Sequence, residues 1–488
     1  MGKFINNPPE ATSIMEASRS FGNYDLPSAL ADLIDNSITA NCDTIEITCK
    51  WNDGNPSIRI KDDGDGMSEW ELIQAMKPAS KSPLNDRDPN DMGRFGLGLK
   101  TASFSQARSL TVLTRKKDIV GAKWDLDDIN DWEMYLFEEK EIEAISPEFF
   151  GEIESGTEVI WEKTDRLTEE GSMVEKNFLE CVISAKEELS KTFHRFINPP
   201  KRIRGIKKIK IILNGSELDS IDPFISDKDS SQELPEKILM GKNGNVKVLP
   251  YILPHYDKLT DEEHKQLGGK DGYIKNQGFY VYRNNRLILY GTWFKLFPFG
   301  SLSKLARISI DIPNSLDLEW KITVDKSEVQ IPSKWKSELK ELVKNQIISK
   351  SDRVFRGKSN ALDTDGIQPV WIKSKARGKF KYMINTDHIV IKEFKEKLKD
   401  EQTIYFKDVL NLIADCFPSN SFFNDFSSKP EEILIMDDDE KRIRRLVDRL
   451  LDTSIGLLDA VKFQERLKMT EPFSSNMEIV KDVLEKRK

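Results

Sequence analysis

Hydrophobic positions recur with two different periods in the first part of the chain. Between residues 25 and 42, "DLPSALADLIDNSITANC" sets Leu30, Leu33, Ile34 and Ile38 on one face at helical spacing, with Asp25 as N-cap and Pro27 in the first turn. The next stretch, "DTIEITCKW", alternates Ile45, Ile47 and Cys49 at period two. A turn, "NDGNP", then leads into "SIRIKD", which predicts a β-hairpin. Further strands are predicted at 109–114, 119–126 and 157–161, then a helix over 173–196. Strands follow near 208–213, 246–252, 278–289 and 305–312, with a helix over 333–350. The polar segment "SDRVFRGKSNALDTDGIQP" reads as a linker into a mostly helical tail, with amphipathic runs at 406–416 and 440–463. No internal repeat, sustained heptad or low-complexity tract interrupts this pattern.

At 488 residues the chain exceeds one ordinary core, and the pattern divides it into residues 1–165, 166–350 and 351–488. Hydrophobic residues at 38% and charged residues at 32% describe a soluble globular protein. No run approaches the ~20 apolar residues that cross a bilayer, and the N-terminal "MGKFINNPPEATSIMEAS" lacks a signal-peptide core or a myristoylation signal. The expectation is a cytoplasmic protein with no membrane contact. Cys42, Cys49, Cys181 and Cys416 form no C-x-x-C pair, and the four histidines have no metal-ligand spacing. A net charge of -8 argues against a surface that coats nucleic acid as a whole. Two local basic candidates remain, "PKRIRGIKKIKI" at 200–211 and "EKRIRRLVDRLL" at 440–451. Their first reading is as solvated faces of a half-buried strand and a helix.

Candidate chemistry lies in three short stretches. "GRFGLGLKT" at 93–101 resembles a phosphate loop with an extra leucine before Lys100, but the preceding "LNDRDPND" is too polar for the strand that launches a true P-loop. What remains is a polar segment ending in Gly93, Gly96 and Gly98, followed by a helix whose first N–H groups could hold phosphate, with Lys100 adding charge. On the first helix, Asp32 and Asn36 stand one turn apart with Asp35 beside them. An amide oxygen suits Mg²⁺, and a carboxylate can orient and deprotonate a water. "KDDGDGMS" closes the hairpin with Asp62, Gly64 and Gly66; a carboxylate acceptor there suits the amine of adenine, and glycines admit close backbone approach. A calcium loop is the rival reading, but neither the preceding helix nor the closing glutamate of an EF-hand is present.

In this order the three stretches resemble the GHKL superfamily of ATPases, which includes DNA gyrase, MutL, MORC, heat-shock chaperones and histidine kinases. Asp32 to Asn36 is similar to its E-x-x-x-N box; Asp62, Gly64, Gly66 and Met67 to D-x-G-x-G; Gly93, Gly96 and Gly98 to its glycine lid; Gly156 and Thr157 to its Gly-Thr pair. "GFYVYRNNRLILYG" and "LEWKITVDKSEVQIP" resemble the MutL and MORC segments that follow the ATPase domain, and on that likeness Lys326 reaches the γ-phosphate with Asp325 and Glu328 as loop neighbours. The resemblance implies an α+β fold. Its parts would be a Bergerat α/β sandwich with helices on a mixed, mostly antiparallel sheet, a ribosomal-S5-like transducer and a mainly helical C-terminal region.

The resemblance also implies ATP and Mg²⁺ as cofactors. Asn36 would be the metal ligand, with Lys100, Thr101 and Thr157 among the nucleotide contacts and Asp32 and Lys326 as the catalytic pair. Aspartate is one methylene shorter than the family's glutamate, so binding is the firmer expectation and hydrolysis the slower one. The function implied is an ATP-dependent homodimeric clamp in a DNA transaction, with bacterial MORC-like members suggesting restriction or antiphage defence beside nucleases. The alternative is a non-hydrolysing scaffold or chaperone-like protein that assembles partners. All four histidines follow the ATPase segment, which argues against a histidine kinase.

Overall fold

A computed structural model describes residues 4–5, 7, 10–22, 24–78, 92–93, 98–129, 131–168, 174–254, 258–268, 272–298, 303–323, 326, 329–347, 350, 368–376, 379–418, 421–422, 440–451 and 460–486. The chain forms two compact units, one of residues 1–270 and 275–351, the other of residues 271–274 and 352–488.

In the first unit the helix Ala11–Ser18 is followed by a capped helix. Asp25 accepts the Ser28 N–H at 3.0 Å and starts the helix Leu26–Thr39, whose Leu30 and Ile34 are fully buried. The hairpin follows as β1 (Thr44–Lys50) and β2 (Ser57–Asp62), antiparallel in the register Ile47↔Ile60. After the helices Glu69–Met76 and Gly98–Gln106 come β3 (Ser109–Arg115), β4 (Ile119–Asp125), β5 (Tyr135–Leu136) and β6 (Gly156–Glu162). With β7 (Lys210–Leu213) and β8 (Ser216–Glu217) they make one sheet in the order β5-β4-β3-β6-β2-β1-β7-β8, antiparallel except where β1 meets β7. Period-two alternation sends neighbouring residues to opposite faces. Val159 and Trp161 pack under the helices Leu26–Thr39, Gly98–Gln106 and Glu175–Thr192, while Ile160 packs with Ile142 and Phe149 on the other side.

This core does not end at residue 165. Phe178, Val182, Ala185 and Leu189 of the helix Glu175–Thr192 belong to it, as do Ile209 and Ile211.

A second sheet follows within the same unit. Its strands are β9 (Gln232–Glu233), β10 (Lys237–Leu239), β11 (Val246–Ile252), β12 (Gly278–Arg283), β13 (Arg286–Thr292) and β14 (Ala306–Ile312). The order is β10-β11-β14-β12-β13, with β9 on β11 and the β12–β14 pair parallel. β12 and β13 are joined by Asn284 and Asn285, both left-handed at φ 46° and 69°. Asparagine tolerates that conformation well enough to close a two-residue hairpin.

The second unit is mainly helical. Ile389, Ile443, Val447, Leu450, Phe463, Leu467, Phe473, Val480 and Val483 form its core. It also carries an antiparallel hairpin, β15 (Trp371–Ala376) and β16 (Lys379–Ile384), in a tail whose sequence pattern predicted helices. The basic candidate at 440–451 is a helix with a buried face, whereas the one at 200–211 is mostly turns and loop that lead into β7. Ile443, Val447 and Leu450 anchor the helix Glu440–Leu451, whose Arg444 pairs with Glu440 and Asp482. In the other stretch Lys207 pairs with Asp43 at 2.7 Å, Lys210 with Glu217 at 3.3 Å, and Arg202 with Glu233 and Glu236. Among the described residues no helix is long and apolar enough to cross a membrane.

Candidate nucleotide site

A cavity of about 720 Å³ opens between the helix Leu26–Thr39, the end of β2 and the start of the helix Gly98–Gln106. Its two ends are built differently.

At one end lies Asp62, the last residue of β2, 6% exposed. Its Oδ2 accepts the Ser37 hydroxyl at 2.7 Å, and its Oδ1 accepts the N–H groups of Gly64 at 3.0 Å and Thr157 at 3.2 Å. Burial pushes the Asp62 carboxyl pKa up, and those three donors act against the rise by stabilising the anion. The adjoining glycines are required by backbone contact. A Cβ on Gly66, whose φ is +64°, would sit 1.9 Å from the Arg115 carbonyl oxygen; one on Gly156 would sit 2.0 Å from that of Asp62. Thr114 ties this end together, accepting the Met67 N–H at 2.8 Å and donating to the Gly156 carbonyl at 3.0 Å. Asp62 thus presents an acceptor to a cavity walled by Ile60, Val112 and Met67, the chemistry that suits a flat ring with an exocyclic amine.

At the other end four buried charges meet. Asp32 Oδ1 accepts from Lys326 Nζ at 2.8 Å and from Arg286 Nη1 at 2.9 Å, while its Oδ2 accepts the Tyr24 hydroxyl at 2.8 Å. Asp35 Oδ2 pairs with the same Lys326 Nζ at 2.6 Å and with Arg286. None of the four side chains is more than 7% exposed. Burial alone would raise the Asp32 pKa, but the charges of Lys326 and Arg286 outweigh it and hold the carboxyl at about 2. Lys326 itself takes a left-handed backbone, φ 55°.

Between the ends, Asn36 exposes its side chain to the cavity, with no protein hydrogen bond on its amide among the described residues. Gly93 and Gly98 line the entrance, and a Cβ on Gly98 would lie 3.5 Å from Asp32 Oδ2, so backbone reaches the carboxylate closely.

Residues 24–157 match the family model described as histidine kinase-, DNA gyrase B- and HSP90-like ATPase. This stretch is a GHKL ATPase domain. "ATPase morc-1" of Caenorhabditis elegans is 30% identical over 95 residues, a match spanning 20% of this chain and 11% of that protein. A solved structure, the crystal structure of the N-terminal domain of a DNA repair protein, aligns with 72% of this chain and 99% of its own at 15% identity and a TM-score of 0.41.

Within the GHKL domain the cavity brings together Asp32, Asn36, Asp62, Gly66, Met67, Gly93, Gly98, Lys100 and Thr157, and Lys326 enters it from beyond the domain. Gly64 stands behind Asp62 as its N–H donor. Lys100 lines the wall, but its ammonium donates to the Ala75 carbonyl at 2.8 Å and is held at the helix Glu69–Met76. Thr101 is buried behind the wall, 3.5 Å from the Tyr24 hydroxyl. Gly96, Asp325 and Glu328 lie outside the described residues. Four contributors were missed in the sequence: Ser37, Thr114, Tyr24 and Arg286. Ser37 directly follows Asn36 and was open to discovery as the next residue of the motif helix. Arg286 gave no local signal, because its partners lie 254 and 251 positions away.

Proposed function

We propose that the chain binds ATP in this cavity, hydrolyses it, and acts as an ATP-dependent homodimeric clamp in a DNA transaction. The observation that carries the reading is the meeting of Lys326 with Asp32 in the cavity that also holds Asp62. A lysine from outside the nucleotide domain then senses the terminal phosphate, which ties nucleotide state to the arrangement of the rest of the chain.

Asp62 accepts the adenine amine, and the wall of Ile60, Val112 and Met67 excludes water from the ring. The Asn36 amide, exposed and unpaired, fits a hard cation beside the phosphates, and Mg²⁺ bound there neutralises phosphate charge. Asp32 is the base. Held at about 2 by two cations it is a poor proton acceptor, and it becomes one when Lys326 transfers its charge to the γ-phosphate. A water oxygen then bonds to the γ-phosphorus as the bond to the bridging oxygen breaks; the water proton passes to Asp32, and ADP and phosphate leave.

The DNA transaction, the homodimer and a cytoplasmic setting in restriction or antiphage defence with nucleases follow from the MORC-like resemblance. Among the described residues Lys201, Arg204 and Lys208 are exposed with no ion pair, and they offer phosphate contacts that the paired Lys207 and Lys210 do not. One observation favours the second reading, a non-hydrolysing scaffold: the shortened base is already engaged by three partners.

Steady-state turnover with and without duplex DNA separates the two. The clamp predicts DNA-stimulated hydrolysis that falls at least about 100-fold in Asp32→Asn, with ATP binding kept. Nucleotide binding without turnover in the unaltered protein would leave only the scaffold.

A further inference from the structure

The charge count at the phosphate end has a consequence for Arg286. Two buried carboxylates, Asp32 and Asp35, face two buried cations, and both cations touch both carboxylates. If Lys326 leaves for a phosphate, one cation must hold two buried anions. If Arg286 were absent, none would remain, and a buried carboxylate without a compensating charge is strongly disfavoured. Lys326 could not be drawn away at that penalty.

We propose that Arg286 is the positioning residue that frees Lys326 for the γ-phosphate, by holding Asp32 and Asp35 after the lysine departs. The inference rests on the nucleotide reading above. Arg286 has the capacity for this. It uses the single atom Nη1 for both carboxylates, and its Nε, like Asp35 Oδ1, is buried with no hydrogen-bond partner. The guanidinium can therefore close further on the acids when the ammonium moves out.

The turn that carries Arg286 is itself anchored. Arg283, at the other end of the Asn284–Asn285 turn, is paired with Asp317 at 2.8 Å and donates to the Met92 carbonyl at 2.7 Å. Met92 directly precedes Gly93 of the glycine segment. One hairpin of the second sheet thus contacts Met92 through Arg283 and the acid pair through Arg286.

The test is the preference of the full chain for a non-hydrolysable ATP analogue over ADP, both with Mg²⁺, measured by calorimetry. Arg286→Met should lose at least about tenfold more affinity for the analogue than for ADP, because two buried carboxylates then retain Lys326. Arg286→Lys keeps the charge and should retain most of the preference. The decisive variant is Arg286→Met with Asp35→Asn, which removes one charge of each sign and should recover part of the preference, because the departing lysine then leaves one buried carboxylate unpaired rather than two. A role in packing alone would show no such recovery. If Arg286→Met does not fold, the double variant still carries the test. The proposal is overturned if Arg286→Met keeps the preference, or if the double variant regains none of what Arg286→Met loses. Failure of the unaltered chain to bind ADP would instead overturn the nucleotide reading itself.

Discussion

The two ends of the cavity satisfy buried carboxylates in opposite ways. Asp62 is held by neutral donors from its own domain, the Ser37 hydroxyl and two backbone N–H groups, all fixed by the helix and sheet that form the wall. Asp32 and Asp35 are held by charged side chains on the other sheet's hairpin and on the segment near residue 326. Neutral donors within one core make a preformed acceptor that changes little on binding. Cations supplied from elsewhere make an arrangement that a competing anion can rearrange. On the proposed reading, one end recognises the nucleotide and the other responds to it.

The largest expected effect breaks the recognising end. Asp62→Ala leaves the Ser37, Gly64 and Thr157 donors without their acceptor and, on the proposed reading, removes the partner of the adenine amine. ADP and ATP affinity should both fall by at least about 100-fold, as expected when a site built to hydrogen-bond loses its partner. Equilibrium dialysis with both nucleotides checks this; a loss confined to ATP would mean that the ends are not divided as described.

The smallest effect sharpens the contrast through the second sheet. His194 is buried against Tyr282, 2.8 Å from its hydroxyl, one residue before Arg283. Burial and the Arg195 charge push its pKa down to about 4 from 6.5, against the pull of Asp222. The unfolded chain takes up this proton first as pH falls, so the stability it contributes is present above pH 6.5 and is lost as pH falls through 4. The slope is at most about 1.4 kcal/mol per pH unit. In denaturant unfolding, His194→Gln should flatten that part of the acid limb.

The recognising end was readable in the sequence because its parts are local. Asp62, Gly64 and Gly66 lie within five residues, and Gly156–Thr157 opens the strand that pairs with β2. The responding end was readable only in part. Lys326 stood out by family likeness, whereas Arg286 lay unnoticed inside "YRNNRLI", because the sequence does not reveal which distant carboxylates neutralise a given arginine. The same limit applies to the core. The helix Glu175–Thr192 announced itself by its apolar face, but its membership of the first core depends on β7 pairing in parallel with β1, a long-range choice. In the tail, β15 and β16 were hidden by lysines alternating with apolar residues along a short hairpin.

The most direct measurement of the division between the two ends is the binding of ADP and a non-hydrolysable ATP analogue to Lys326→Ala. The account predicts that analogue affinity drops to the level of ADP while ADP affinity changes by less than about threefold, under 1 kcal/mol. Equal losses for both nucleotides, or no loss for either, would contradict it.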